Sequence, residues 1–121
     1  MQTIYPYLLY DDAAAAIDFL TRAFGFEETF RSADGDRVAH AQMRLGDGEI
    51  MLGQPPNQRE RGNQTVLIYA YVDDVDAHCE RARTAGAEIA DEPRDEQYGE
   101  RVYHAHDPEG HSWYFARKLD G

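Results

Sequence analysis

The feature that most restricts how this 121-residue chain can fold is an internal duplication. Tyr10-Asp11-Asp12 opens a helical pattern that ends at Ala23-Phe24-Gly25, and Val72-Asp73-Asp74 opens another that ends at Ala85-Gly86. In each half a β-rich stretch precedes the aspartates: Ile4–Leu9 in one, Thr65–Tyr71 in the other. The aspartate can accept from free N–H groups at a helix start, and glycine can adopt the left-handed conformation that ends a helix. Ala16, Phe19, Leu20, Ala23 and Phe24 recur at three- and four-residue spacing, so the first helix has one apolar face. Val75, Cys79 and Ala82 give the second a thinner stripe.

Short strands follow each helix. The first half reads as Glu27–Arg31, Arg37–Leu45 and Glu49–Gly53, with Gly46-Asp47-Gly48 as a hairpin turn. The second half reads as Glu88–Asp91, Glu100–His106 and Ser112–Lys118, with Asp107-Pro108-Glu109-Gly110 as the turn. The pattern predicts one α+β domain over 1–121: a βαβββ module at 1–53, a polar, proline-containing linker at 54–64, and a second βαβββ module at 65–118. An amphipathic sheet of this kind cannot bury its apolar face alone, so the modules are expected to pack together or with a second copy.

Composition narrows the function classes. Twelve basic against twenty-three acidic residues leave a net charge of −11, which repels phosphate backbones and anionic lipid. Nucleic acid and membrane are therefore not expected as partners, whereas cationic small molecules are tolerated. The single cysteine, Cys79, excludes an internal disulfide and a thiolate metal cluster, and fits the second helix's buried stripe better than a nucleophile's position. No apolar run approaches a bilayer span, and Met1-Gln2-Thr3-Ile4 lacks the pattern of a signal peptide, so the expected location is cytoplasmic. No Ser-His-Asp order, P-loop or dinucleotide fingerprint appears in the sequence.

The order of Tyr10-Asp11-Asp12, Ala16-Ile17-Asp18-Phe19, Phe24-Gly25-Phe26, Leu45-Gly46-Asp47-Gly48, Val72-Asp73-Asp74, Ala85-Gly86-Ala87 and Asp107-Pro108-Glu109-Gly110-His111 resembles the vicinal oxygen chelate superfamily. That group includes glyoxalase I, extradiol dioxygenases, fosfomycin-resistance proteins and bleomycin-resistance proteins. The resemblance implies two βαβββ modules forming a cupped, eight-stranded mixed sheet with a helix packed behind each half, and often a homodimer.

It also implies where a metal would sit. The superfamily's metal enzymes place ligands on the first and last strands of each module, positions that correspond here to Tyr5, Leu67, Met51 and Tyr114. Two phenols, an aliphatic branch and a thioether hold a divalent ion poorly. The chain therefore resembles the metal-free, bleomycin-resistance-like branch, with no metal and no cofactor expected. By the same resemblance and strand alternation, the cup face carries Tyr5, Tyr7 and Leu9; Thr65, Leu67, Tyr69 and Tyr71; and Ser112, Tyr114 and Ala116. His40, Gln42 and Arg44, and Val102, His104 and His106, complete it.

Three readings follow. The first is a binding protein that holds an aromatic or cationic compound among Tyr5, Tyr7, His40, Gln42, Met51, Leu67, Tyr69, His104 and Tyr114. The second is a metal-dependent lyase, isomerase or dioxygenase with ligands relocated to His40, His104 or His106. The third is a metal-free acid–base enzyme with His104 as the catalytic group and Tyr5, Tyr69 or Tyr114 as proton donors. His78 and His111 read as structural or solvated, Arg44 as paired to a neighbouring carboxylate, and the loop Glu92–Gly99, carrying Tyr98, as an ordinary acidic surface loop or, alternatively, a lip beside the histidine strand.

Overall fold

In the computed structural model, which describes residues 2–57 and 66–120, the chain forms two compact units, 1–64 and 65–121. The first unit comprises β1 (Tyr7–Leu9), α1 (Ala13–Phe19), β2 (Glu27–Asp34), β3 (Arg37–Leu45) and β4 (Gly48–Gly53). The second comprises β5 (Leu67–Tyr71), α2 (Val75–Thr84), β6 (Glu88–Asp95), β7 (Glu100–His106) and β8 (Ser112–Lys118). The eight expected strands are present as two mixed four-stranded sheets, ordered β1-β4-β3-β2 and β5-β8-β7-β6. Each sheet has one parallel pair, β1 with β4 and β5 with β8, because the helical crossover returns the chain in the same direction.

The two Asp-Asp elements act alike. The carboxylate of Asp12 accepts from the Ala15 N–H and that of Asp74 from the Ala77 N–H, each at 3.0 Å, so the second aspartate of each pair is the N-cap. α1 does not stop at Phe19. It runs on through one wider π-helical turn, Leu20–Phe24, and ends on Gly25 at φ 84°, which keeps Leu20, Ala23 and Phe24 buried along one face.

In the first unit, Leu8, Ala41, Met43, Ile50 and Leu52 share the sheet face that is buried together with the α1 stripe. In the second, Tyr103, Ala105, Trp113 and Phe115 do the same with Val75, Cys79 and Ala82 of α2. Trp113 and Phe115 are therefore core, as alternation predicts. His78 is half-buried at the border of this core: its Nδ1 lies 2.6 Å from the Tyr103 hydroxyl and its ring 4.3 Å from that of Phe115.

Several boundaries differ from expectation. β1 begins at Tyr7 rather than Ile4, since Pro6 has no N–H for the ladder and contributes only its carbonyl, which accepts from Met51. Tyr5 therefore precedes the strand. β2 extends to Asp34 because a two-residue Gly35-Asp36 turn, with Gly35 at φ 63°, closes the hairpin with β3. β6 extends to Asp95, so the first half of the expected Glu92–Gly99 loop is an edge strand; Pro93 lies where the β6–β7 register shifts, the place a ladder tolerates it.

His111 is buried rather than solvated. Of the expected linker, Gln54 is integral to the first unit: its side chain accepts from the Ala13 N–H at 3.1 Å. Residues 58–64, with Thr65, lie outside the described residues. Among the described residues no helix is long and apolar enough to cross a membrane.

Candidate functional site

Each helix covers one face of its own sheet, and the residues of interest alternate onto the other. In the second unit the ladder sets them in rows. Tyr69 lies opposite Tyr114, Tyr114 opposite His104, and His104 opposite Asp91. The rings follow the register. Tyr69 and Tyr114 are 12° from parallel with centroids 6.2 Å apart, and Tyr114 and His104 are 9° from parallel at 4.2 Å. Three side chains from three strands thus stand as a file of nearly parallel π-systems.

Polar contacts hold both ends of that file. At one end, His104 Nδ1 is 3.3 Å from the Asp91 carboxylate and Nε2 is 3.3 Å from the Ser112 hydroxyl. At the other, the Tyr69 hydroxyl donates to one oxygen of Glu100, and the Tyr71 hydroxyl donates to the other at 2.6 Å. Desolvation, followed by these contacts with Glu100, pushes the Tyr69 phenol far above its ordinary range, while the two donated O–H bonds hold the Glu100 carboxyl below its own. The site thus keeps neutral phenols beside an ionised carboxylate.

His106 is next to His104 at 4.8 Å between ring centroids, and its Nδ1 faces Glu88 at 2.9 Å. A small cavity of about 40 Å³ opens beside His104 and Tyr114, with Asp91, Arg94, Tyr98 and Val102 on its walls. It admits a solvent molecule or a substituent. A drug-sized ligand needs roughly 300–1,000 Å³ and would have to lie across the open face instead.

The first unit has a counterpart row, in which Tyr7 lies opposite Met51, Met51 opposite Gln42, and Gln42 opposite Phe30. The Tyr7 hydroxyl is 2.8 Å from His40 Nδ1, and the Gln42 amide nitrogen is 3.4 Å from His40 Nε2, so both imidazole nitrogens have partners. Gly53 makes room for this arrangement. A Cβ there would sit 3.0 Å from the Tyr7 oxygen and 2.4 Å from the Ala39 carbonyl oxygen. Arg44 pairs with Glu27 at 3.0 Å, as expected for so acidic a chain.

A family model for the Glyoxalase/Bleomycin resistance protein/Dioxygenase superfamily matches residues 4–115. The chain belongs to this superfamily. It is 36% identical over 118 residues to the uncharacterized protein Mb0911c of Mycobacterium bovis, covering 89% of this chain and 78% of that one. The crystal structure of TioX from Micromonospora sp. ML1 is similar throughout, with 33% identity, a TM-score of 0.82, and coverage of 98% of this chain and 100% of the other. A glyoxalase/bleomycin resistance protein/dioxygenase family enzyme from Burkholderia phytofirmans PsJN shares the fold, at 21% identity, a TM-score of 0.78, and coverage of 95% and 97%.

Superfamily membership raises the question of a divalent metal, and the side chains at the corresponding positions do not suit one. Tyr5, Leu67, Met51 and Tyr114 offer no imidazole or carboxylate. Nor, among the described residues, do three or more His, Cys, Asp or Glu side chains converge as a ligand group. His104 and His106 each face a separate carboxylate instead.

Of the residues expected on this face, the second unit brings Tyr69, Tyr114 and His104 together, with Leu67 beside them opposite Ser112. The first brings Tyr7, His40, Gln42 and Met51 together. Asp91 and Glu100 are additions. For Glu100 the signal was present: alternation through His106, His104 and Val102 reaches it next. Asp91 meets His104 only because the β6–β7 register shifts on both sides of it, and no pattern in the sequence announces that.

Proposed function

We propose that this chain is a small-molecule-binding member of its superfamily, one that works without a bound metal and holds an aromatic or cationic compound on a tyrosine- and histidine-bearing sheet face. The observation that carries this reading is the parallel file of Tyr69, Tyr114 and His104 on the helix-free face of the second sheet. Such a file presents a row of aromatic edges along its length, against which a planar compound can pack. The half-exposed Tyr7 and Phe30 of the first unit add apolar surface of the same kind. The net charge of −11 favours approach of cations.

Titration calorimetry and thermal melting against planar aromatic cations, planar neutral aromatics and aliphatic cations test the proposal. Heat and a raised melting temperature with the aromatic compounds are expected, reduced by Tyr114→Ala. Absence of both across the panel would remove the reading.

A second reading rests on a separate observation. Asp91, His104 and Ser112 lie in series, carboxylate to Nδ1 and Nε2 to hydroxyl, an arrangement in which His104 can take or give a proton. Turnover that follows a bell-shaped pH profile and disappears in His104→Asn would establish acid–base catalysis. An unchanged profile in that variant would dismiss it.

A further inference from the structure

Tyr69 and Tyr71 of β5 stand edge to face, 5.7 Å between centroids and 70° between planes, so their faces are nearly perpendicular. Both hydroxyls point at Glu100 at the start of β7. A third phenol, Tyr98, belongs to the β6–β7 turn, two residues before Glu100. That turn is fixed: Gly99 takes φ 89° and donates to the Glu96 carbonyl, Glu96 donates to the Glu100 carbonyl at 2.7 Å, and Leu119 donates to the Gly99 carbonyl. The rings remain accessible, with Tyr69, Tyr71 and Tyr98 exposed by 38%, 55% and 65%. Two phenols therefore meet at one carboxylate on a rigid support, with a third exposed phenol two residues before it in the chain, at the end of the aromatic file opposite His104.

We propose that Tyr69, Tyr71 and Glu100, with Tyr98 in the adjoining turn, form an aromatic site for an alkylated ammonium group, so that the ligand held on this face carries a quaternary or tertiary amine next to its planar part. The inference deepens the binding-protein reading and rests on it.

The chemistry favours this class over other cations. A divalent metal would need several hard oxygen donors, and one carboxylate already accepting two O–H bonds does not supply them. An alkylated ammonium spreads its charge over carbon-bound hydrogens, needs few hydrogen bonds, and is attracted to the negative faces of aromatic rings. Glu100 is ionised and still has lone pairs directed away from the two phenols. Lys118 lies directly across the β7–β8 ladder and weakens the local negative potential, so the rings and the carboxylate have to act together.

The test uses the full chain and two probes of the same shape, (4-hydroxyphenyl)trimethylammonium and 4-tert-butylphenol, which differ in the charge of one central atom. The expected result is a preference of about tenfold for the cation in calorimetry. Glu100→Gln and Tyr71→Leu should each bring the two probes close to equal affinity, whereas Tyr71→Phe, which keeps the ring, should retain most of the preference. Equal binding of both probes by the unaltered protein would overturn the ammonium site while leaving the binding-protein reading intact. So would a preference that survives both Glu100→Gln and Tyr71→Leu. Failure of both probes, together with failure of the wider panel, would remove the two proposals at once.

Discussion

Asp107 shows how one side chain can fix a whole turn. Its Oδ1 accepts from the backbone N–H groups of Glu109 and His111, and its Oδ2 accepts from the indole N–H of Trp113, all within 3.2 Å and away from solvent. The Asp-Pro-Glu-Gly-His segment is thereby tied to the core rather than simply linking β7 to β8. Asp107→Ala leaves buried donors without an acceptor, so a loss of about 2–4 kcal/mol is expected in urea unfolding. The phenols make a second prediction at this scale. Tyr69 is pushed up by burial and then by its bond to Glu100, Tyr71 chiefly by its bond to Glu100, and Tyr103 by burial. Groups raised in the folded state contribute stability that is complete below their ordinary pKa, near ~10, and is lost as pH rises through the folded value. Tyrosinate absorbance should therefore appear late, well above pH ~10 for part of the tyrosine complement, and in Glu100→Gln that late fraction should shrink. Glu100 itself is held low, so its contribution is present above the ordinary carboxylate range and disappears as pH falls through its folded value.

At the level of elements, the two Asp-Asp motifs are equivalent devices on unequal helices. α1 together with its π-helical turn buries seven side chains, Ala13, Ala16, Ile17, Phe19, Leu20, Ala23 and Phe24, whereas α2 buries Val75, Cys79 and Ala82. Asp12→Ala and Asp74→Ala each remove one cap and should cost about 1 kcal/mol. The caps are in separate units, so the double variant should lose the sum, which chemical denaturation can check. Elements such as these were legible because their signals are local: a cap, a left-handed glycine, an apolar period. The bounds of β3, β7 and β8 agree with the alternation for the same reason. What escaped sequence reading depends on pairing. The expected loop from Glu92 is strand as far as Asp95, because Pro93 sits at a shift in an edge ladder and the strand continues past it. The meeting of Asp91 with His104, and of Glu100 with Tyr69 and Tyr71, is decided across strands 13 to 31 residues apart in sequence.

For the molecule as a whole, the duplication resolves into two four-stranded sheets of identical order, each with its helix on one side. The expected homodimer remains a proposal, supported by the exposed Ile4, Val66 and Leu67 and by sheet edges at β1, β2, β5 and β6. Sedimentation at micromolar concentration should show a species of twice 13.8 kDa; a single species at 13.8 kDa would refute the dimer. The chain has one thiol, and it lies in the second unit. Cys79 lies on the buried face of α2, and burial pushes its pKa up to about 11, so alkylating reagents can reach a reactive thiolate only when that half opens. The protein thus carries a built-in clock: the rate at which maleimide consumes Cys79 reports the opening of one half while the cysteine-free half stays silent, and comparing that rate with global unfolding reveals whether the two halves melt as one.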